Sequence, residues 1–174
     1  MLSGEEIIKN VEDGKIVIRP FDKSNVNPNS YNLTLGDELI VYTDDVLDVK
    51  KKNNTKTIKI PDEGFILAPN TFYLAKTNEY TESEYFVPEI SGRSSVGRIG
   101  LTVHLSSGFG DVGYKGAWTL QISSVVPTKI YKGMEIGQIY YFPLVGGNKI
   151  KYSGLYNNDG HLNTSLSYKD EADL

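Results

Sequence analysis

Apolar residues in this chain recur mostly at every second position, in short runs cut by polar or breaker residues, and a period of two marks half-buried strands. The exception is the start. Ser3, Gly4, Glu5 and Glu6 have the spacing of a capping box, Ile7, Ile8 and Val11 follow at helical intervals, and Gly14 stops the run, so a short amphipathic helix is predicted. Ile16, Val17 and Ile18 then read as a strand ended by Pro20, and a turn through Asn27, Pro28, Asn29 and Ser30 leads into an alternating strand at residues 31–35. Further short strands are predicted at residues 39–42, 57–60, 65–68 and 72–76, split by Asp44 and Asp45, by the polar run 50–54, and by Pro69 and Asn70. Residues 117–122 alternate cleanly: Trp118, Leu120 and Ile122 face the core, and Ala117, Thr119 and Gln121 face the other way. Short strands at this spacing, with little helix after residue 12, predict a mainly β fold, a distorted barrel or roll with one N-terminal helix. There is no internal repeat and no low-complexity linker. Residues 1–145 read as one barrel domain, and from Gly146 the chain turns polar. Residues 146–174, with Tyr152, Ser153, Gly154, Leu155, Tyr156, Asn157, Asn158, Asp159 and Gly160 in sequence, read as a tail that orders only against a partner surface and closes over the site.

Composition narrows the chemistry. A formal charge of -4 over 174 residues argues against a surface that neutralises many phosphates of a polymeric nucleic acid. A small anionic ligand stays open, because a focused pair of arginines needs no basic average. The lysine run at residues 50–52 reads as a solvated hairpin tip. Cysteine is absent and there are two histidines, His104 and His161. No disulfide framework exists, and the His and Cys ligand set of zinc-dependent nucleobase deaminases is missing. Any deamination would then be metal-free at the reacting carbon. His104 falls in an alternating stretch and reads as a core residue; His161 lies in the tail. No apolar run reaches transmembrane length and the N-terminus is acidic, so a soluble cytoplasmic protein is expected, in a bacterium or a cell infected by a phage or virus.

The candidate chemistry lies between residues 91 and 142. Gly92-Arg93-Ser94-Ser95-Val96-Gly97-Arg98 puts two guanidinium groups and two hydroxyls within seven residues. That set suits phosphate, because a guanidinium fork matches phosphate oxygens bidentately and hydroxyls add neutral donors. Residues 94–99 are predicted to form one or two helical turns, placing Arg93 and Ser94 at a start whose free amides favour anions. Gly108-Phe109-Gly110-Asp111-Val112-Gly113-Tyr114-Lys115-Gly116 follows, a turn able to approach a flat ligand closely. Ile136-Gly137-Gln138-Ile139 closes the stretch.

In this order and spacing the three blocks resemble the dCTP deaminase and dUTPase superfamily, from about Ile7 to the tail. The resemblance implies a dUTPase-like (β-clip) barrel and a homotrimer with sites at subunit interfaces, each arginine block completed by a neighbour's turn. It implies that Ser94 and Arg98 sit by the reacting centre, and that Arg93, Ser95 and Gln138 hold the triphosphate. Asp111 would orient the water that attacks the α-phosphate, and Tyr114 would pack under the deoxyribose. Tyr152 and Tyr156 of the tail would reach the nucleotide. Mg²⁺ would arrive on the nucleotide phosphates, with no zinc and no resident metal site. The chain also departs from the family. Asn32 stands where an acidic residue is usual, Gly110 where a branched apolar residue is frequent, which would loosen the loop, and Leu155 and Asn157 where a lysine and a glutamine are.

The largest departure is Gln121, at the position of the glutamate that deaminating relatives carry. Removing the amino group at a cytosine C4 needs a water deprotonated and a ring nitrogen and leaving ammonia protonated. A carboxamide has no titrating proton, so a general acid/base contribution of about 10²–10⁴-fold is forfeited, while its acceptor and two donors still suit a base. The first reading is therefore a protein that binds a pyrimidine deoxynucleoside triphosphate or related phosphorylated nucleotide without deaminating it, sequestering or sensing it. The alternative is an enzyme, either a dUTP diphosphatase working through Asp111 or a dCTP deaminase whose glutamate has been replaced by Gln121.

Overall fold

The computed structural model describes residues 1–103, 108–147, 149–157 and 160–170; His104, Asn158 and Asp159 lie outside them. Helix α1 (Gly4–Glu12) opens the chain, as its cap predicts: Ser3 Oγ accepts from Glu6 N at 3.3 Å. Strands β1 (Ile16–Arg19), β2 (Tyr31–Tyr42), β3 (Thr55–Lys59), β4 (Phe65–Leu67), β5 (Tyr73–Ser83) and β6 (Phe86–Gly92) follow. One turn of helix, α2 (Ser94–Gly97), leads into β7 (Leu101–Val103), β8 (Lys115–Ser124), β9 (Thr128–Ile130) and β10 (Glu135–Pro143), and a last turn, α3 (Ser167–Asp170), lies in the tail.

Among the described residues all strand pairings are antiparallel. The main sheet runs β6-β10-β2-β5-β8-β7, with β1 added on β5 and β3 on β2, and β4 pairs with β9 in a small second sheet. This wraps into a nearly closed barrel whose two end strands, β6 and β7, are joined in sequence through α2. Inside lie Tyr31, Leu33, Leu35, Leu39, Leu120, Ile122, Ile136, Ile139 and Tyr141, each fully buried, and α1 sets Ile7 into the same core. Each such aliphatic side chain contributes about 1.5–3 kcal/mol relative to an exposed one. Trp118, Leu120 and Ile122 point inward as the alternation predicts, while Thr119 and Gln121 are half-buried on the opposite face.

Two expected strands turn out to be one. Residues 31–35 and 39–42 join into the twelve-residue β2, which kinks at Gly36 where the register against β5 shifts between Leu35 and Leu39. A Cβ at Gly36 would stand 3.0 Å from both the carbonyl oxygen and Cγ of Lys76, so the glycine marks a close strand approach rather than a strand end. The strand expected at residues 72–76 begins at Tyr73 and continues to Ser83. The tail finds its surface on its own chain. Tyr152 N donates to Val112 O at 2.8 Å, Lys76 Nζ to Gly160 O at 2.9 Å, and Ser165 N to the Tyr42 hydroxyl at 3.1 Å. No helix among the described residues is long and apolar enough to cross a membrane.

Candidate functional site

Six of the ten residues singled out by sequence line three separate cavities: Gln121 and Tyr156 the first, Asp111 and Tyr152 the second, and Arg93 and Ser94 the third, while Ser95, Arg98, Tyr114 and Gln138 line none of them. The largest, about 400 Å³, lies on the outer face of β8 and β5, where Gln121 is in register with Leu74. Gln121 and Thr119 share its wall with Tyr42, Phe72, Leu74 and the tail residues Tyr156, Asn163 and Ser165. Aromatic and aliphatic walls around a few polar groups, the carboxamides of Gln121, Asn53 and Asn163 and the carboxylate of Asp48 among them, are a surface for a flat heterocycle. Within the tail the Tyr156 hydroxyl accepts from Leu166 N at 3.0 Å, and Ser167 ties the tail to the barrel by donating to Val49 O at 3.0 Å.

Asp111 is exposed and lines a second cavity of about 350 Å³ with Val87, Val112, Lys151 and Tyr152. Its turn is held from both sides. Gly110 N donates to Pro88 O at 2.8 Å and Gly113 N to Ser83 O at 2.8 Å. Gly110 does not loosen this loop. A Cβ there would overlap the Trp118 ring edge at Cη2 and lie 3.0 Å from Cζ3 and 3.1 Å from Pro88 Cγ, so the glycine lets the indole pack directly under the turn. Tyr114 stands beside that indole, ring centroids 4.6 Å apart, and meets Tyr152 edge-on at 5.9 Å; its hydroxyl donates to Ala117 O at 2.9 Å. Asn157 accepts from Lys115 N at 3.0 Å. Leu155 is exposed.

The phosphate-type block is on a third surface. Arg93 caps α2, which is one turn long, and Ser94, Ser95 and Arg98 are exposed. Arg93 and Ser94 line a cavity of about 360 Å³ with Gly92, Thr102 and Val125. Behind it runs a polar network. Arg93 Nη1 donates to Glu135, Asn32 Nδ2 donates to the other carboxylate oxygen of Glu135 at 3.1 Å, and Gln138 Nε2 donates to Asn32 Oδ1 at 3.2 Å. The Tyr140 hydroxyl donates to Gln138 Oε1 at 3.0 Å, and Asn27 Nδ2 to Asn32 Oδ1 at 2.8 Å. Gln138 thus sits with Arg93, Gln121 with Tyr156, and Asp111 with Tyr114 and Tyr152. Among the described residues the three cavities share no lining side chain.

Two acidic residues of this region do not stand out in the sequence. Glu135 opens a strand and reads as solvated; the register shift between Glu135 and Gly137 turns it towards Asn32. Glu79 is 2% exposed and accepts from Thr34 N at 2.8 Å and the Thr34 hydroxyl at 2.7 Å. Burial pushes its carboxyl above the usual range, outweighing those two bonds. Its signal is the alternation itself, since Tyr73, Ala75, Thr77, Glu79, Thr81 and Ser83 all face inward.

A family model described as dCTP deaminase-like matches residues 1–144. The chain belongs to the dCTP deaminase-like family. Among curated relatives of this dCTP deaminase-like chain, a protein of Clostridium acetobutylicum is 53% identical over 171 residues and one of Clostridium beijerinckii 50% over 170, each alignment covering 98% of both chains. A Leptospira biflexa protein is 46% identical over 170 residues, 98% of this chain and 97% of its own. All three are named dCTP deaminase, dUMP-forming. In fold, this dCTP deaminase-like barrel is similar to the 2'-deoxycytidine 5'-triphosphate deaminase of Agrobacterium tumefaciens, with a TM-score of 0.64 at 18% identity over 80% of this chain, which spans 47% of that longer one.

Proposed function

We propose that this protein is an enzyme of deoxynucleotide metabolism that acts on a pyrimidine deoxynucleoside triphosphate carrying Mg²⁺, at sites assembled between copies of the chain in the cytoplasm. The observation that carries this reading is the identity of about half over nearly the full length with proteins named dCTP deaminase, dUMP-forming. It moves the weight from a sequestering or sensing protein to an active enzyme. Turning dCTP into dUMP takes two waters and releases ammonia from C4 and diphosphate from the α-phosphate. The two halves draw on different residues here. Asp111, exposed on a braced turn, is suited to orient a water for phosphoryl transfer, where positioning and charge stabilisation supply most of the catalysis. Gln121 faces an aromatic-walled cavity of nucleoside size, where it can hold a base but not relay its protons. Diphosphate release is therefore the step this chain retains best. In one chain Ser94 and Arg98 are exposed, and the cavity that Arg93 and Ser94 line shares no residue with those of Gln121 and Asp111, which supports a homotrimer in which a neighbour's arginine block completes each site.

Incubation with dCTP and with dUTP plus Mg²⁺, following ammonia and diphosphate, tests this. Diphosphate from dUTP, lost in Asp111→Asn, is expected. Tight nucleotide binding with no product from either substrate would return the reading to sequestration, for which the carboxamide of Gln121 is the specific motive.

A further inference from the structure

Glu135 touches two of the groups that matter to the phosphate block. One carboxylate oxygen accepts from Arg93 Nη1 and the other from Asn32 Nδ2 at 3.1 Å. Neither end can be exchanged. The orientation of the Asn32 amide is settled by its oxygen, which accepts from Asn27 at 2.8 Å and from Gln138 at 3.2 Å, so its NH₂ must face Glu135. Arg93 is a donor at every nitrogen. The group between them has to accept on both sides, which a carboxylate does and a carboxamide does not.

We propose that Glu135 is a positioning residue: by bridging Asn32 and Arg93 it fixes the guanidinium on the cavity that Arg93 lines with Ser94, ready for the phosphates of the nucleotide. This rests on the triphosphate reading above. An arginine side chain otherwise distributes over many rotamers, and the planar fork gains from being pre-organised before the anion arrives. At 29% and 37% side-chain exposure for Arg93 and Glu135, the pair is open enough for a ligand to reach it. The network also explains why the residue at position 32 is an amide here: an acid there would set two carboxylates against each other.

The chemistry gives an unusual control. In Glu135→Gln, a carboxamide facing Arg93 with its oxygen turns its NH₂ on the NH₂ of Asn32, and the flipped form turns it on the guanidinium. Adding Asn32→Asp restores a donor opposite an acceptor at both contacts, with the charge moved one residue along the same chain of bonds. Binding of dUTP, supplied with Mg²⁺ as its non-cleavable α,β-imido analogue, is measured by calorimetry for wild type, Glu135→Gln, Asn32→Asp and the double variant. The Arg93 guanidinium is followed by NMR without nucleotide, assigned through Arg93→Lys.

We expect each single variant to bind about tenfold more weakly, the scale of one charge-assisted bond, and the double variant to recover to within about threefold of wild type. The Arg93 Nε–H signal should be ordered in wild type and in the double variant and averaged in Glu135→Gln. Unchanged or tighter binding in Glu135→Gln overturns the proposal, as does a double variant no better than the singles. So does an averaged Arg93 signal in wild type. If wild type shows an ordered signal that collapses in Glu135→Gln yet binds no dUTP, the positioning of Arg93 stands and the nucleotide reading fails.

Discussion

Gly110→Ala asks whether the Asp111 turn and the barrel core are one mechanical unit. The added Cβ would overlap Trp118 Cη2 and approach Cζ3 to 3.0 Å and Pro88 Cγ to 3.1 Å. Relaxed carbon contacts lie at roughly 3.5–4.0 Å, so relief of the two longer contacts needs a shift of about 0.5–1 Å and relief of the overlap with Cη2 more than about 1 Å. The indole cannot yield freely, because its Nε1 donates to the Thr81 hydroxyl at 2.8 Å in a buried setting and its ring is pressed by Tyr114. Overpacking of this kind costs about 1–3 kcal/mol, which for a chain of this size lowers the melting temperature by roughly 2–12 °C. The turn is expected to take most of the displacement, and under the proposal that Asp111 orients the attacking water, misplacing it by about 1 Å would cost up to about 10²-fold in rate. Thermal melts of the variant, with diphosphate release from dUTP measured well below its transition, test both halves. Trp118→Phe removes Cη2 and Cζ3, so in the double variant the Gly110→Ala penalty should shrink by about 1 kcal/mol or more, a coupling between touching residues. A Gly110→Ala protein with wild-type melting temperature and wild-type rate would refute the packing of Trp118 under the turn and the part it plays in holding Asp111.

Restoring a carboxylate with Gln121→Glu should raise ammonia release from dCTP by about 10²–10⁴-fold, the usual contribution of a general acid/base, with little change in diphosphate release from dUTP. Glu79 has a carboxyl raised by burial above its usual 4.5, so its contribution to stability is full below the unfolded-state pKa and is lost as pH rises through the folded one. Denaturant midpoints of wild type should fall with rising pH across that window relative to Glu79→Gln, in which the dependence is absent. Tyr42→Phe deletes the acceptor for Ser165 N; hydrogen exchange at Ser165 should quicken by a factor corresponding to at most about 1 kcal/mol, with the melting of the barrel unchanged.

The barrel is legible wherever one face of a strand is dry. Trp118, Leu120 and Ile122 declare their direction because water on the far side forces alternation, and the capping box before Ile7 is local chemistry that needs no partner. The join between residues 31–35 and 39–42 is not legible, since a glycine at a tight strand approach, as at Gly36, looks the same in sequence as one between two strands. Gly110 misleads: what reads as slack is the absence of a methyl that an indole replaces. Arg93, Asp111 and Gln121 can be picked out by residue type and spacing, but their grouping cannot. Which side chains share a cavity depends on pairings between strands a hundred residues apart, such as the contact between Asn32 and Glu135. The tail shows the limit from the other side, because its polar composition does not reveal that Val112, Tyr42 and Val49 of the same chain will receive it.

The segment bearing Arg93, Ser94, Ser95 and Arg98 spans the gap between β6 and β7, the two strands that end the main sheet. No strand has to thread through it, and three of its four polar residues lie exposed, where substitutions usually shift stability by only about 0.5 kcal/mol either way. The barrel is thus expected to stand whatever occupies positions 94, 95 and 98, whereas Arg93, bonded to Glu135, is not free in this way. A new side chain at this seam would therefore alter what the surface presents to an anion without asking any strand of the wall behind it to repack.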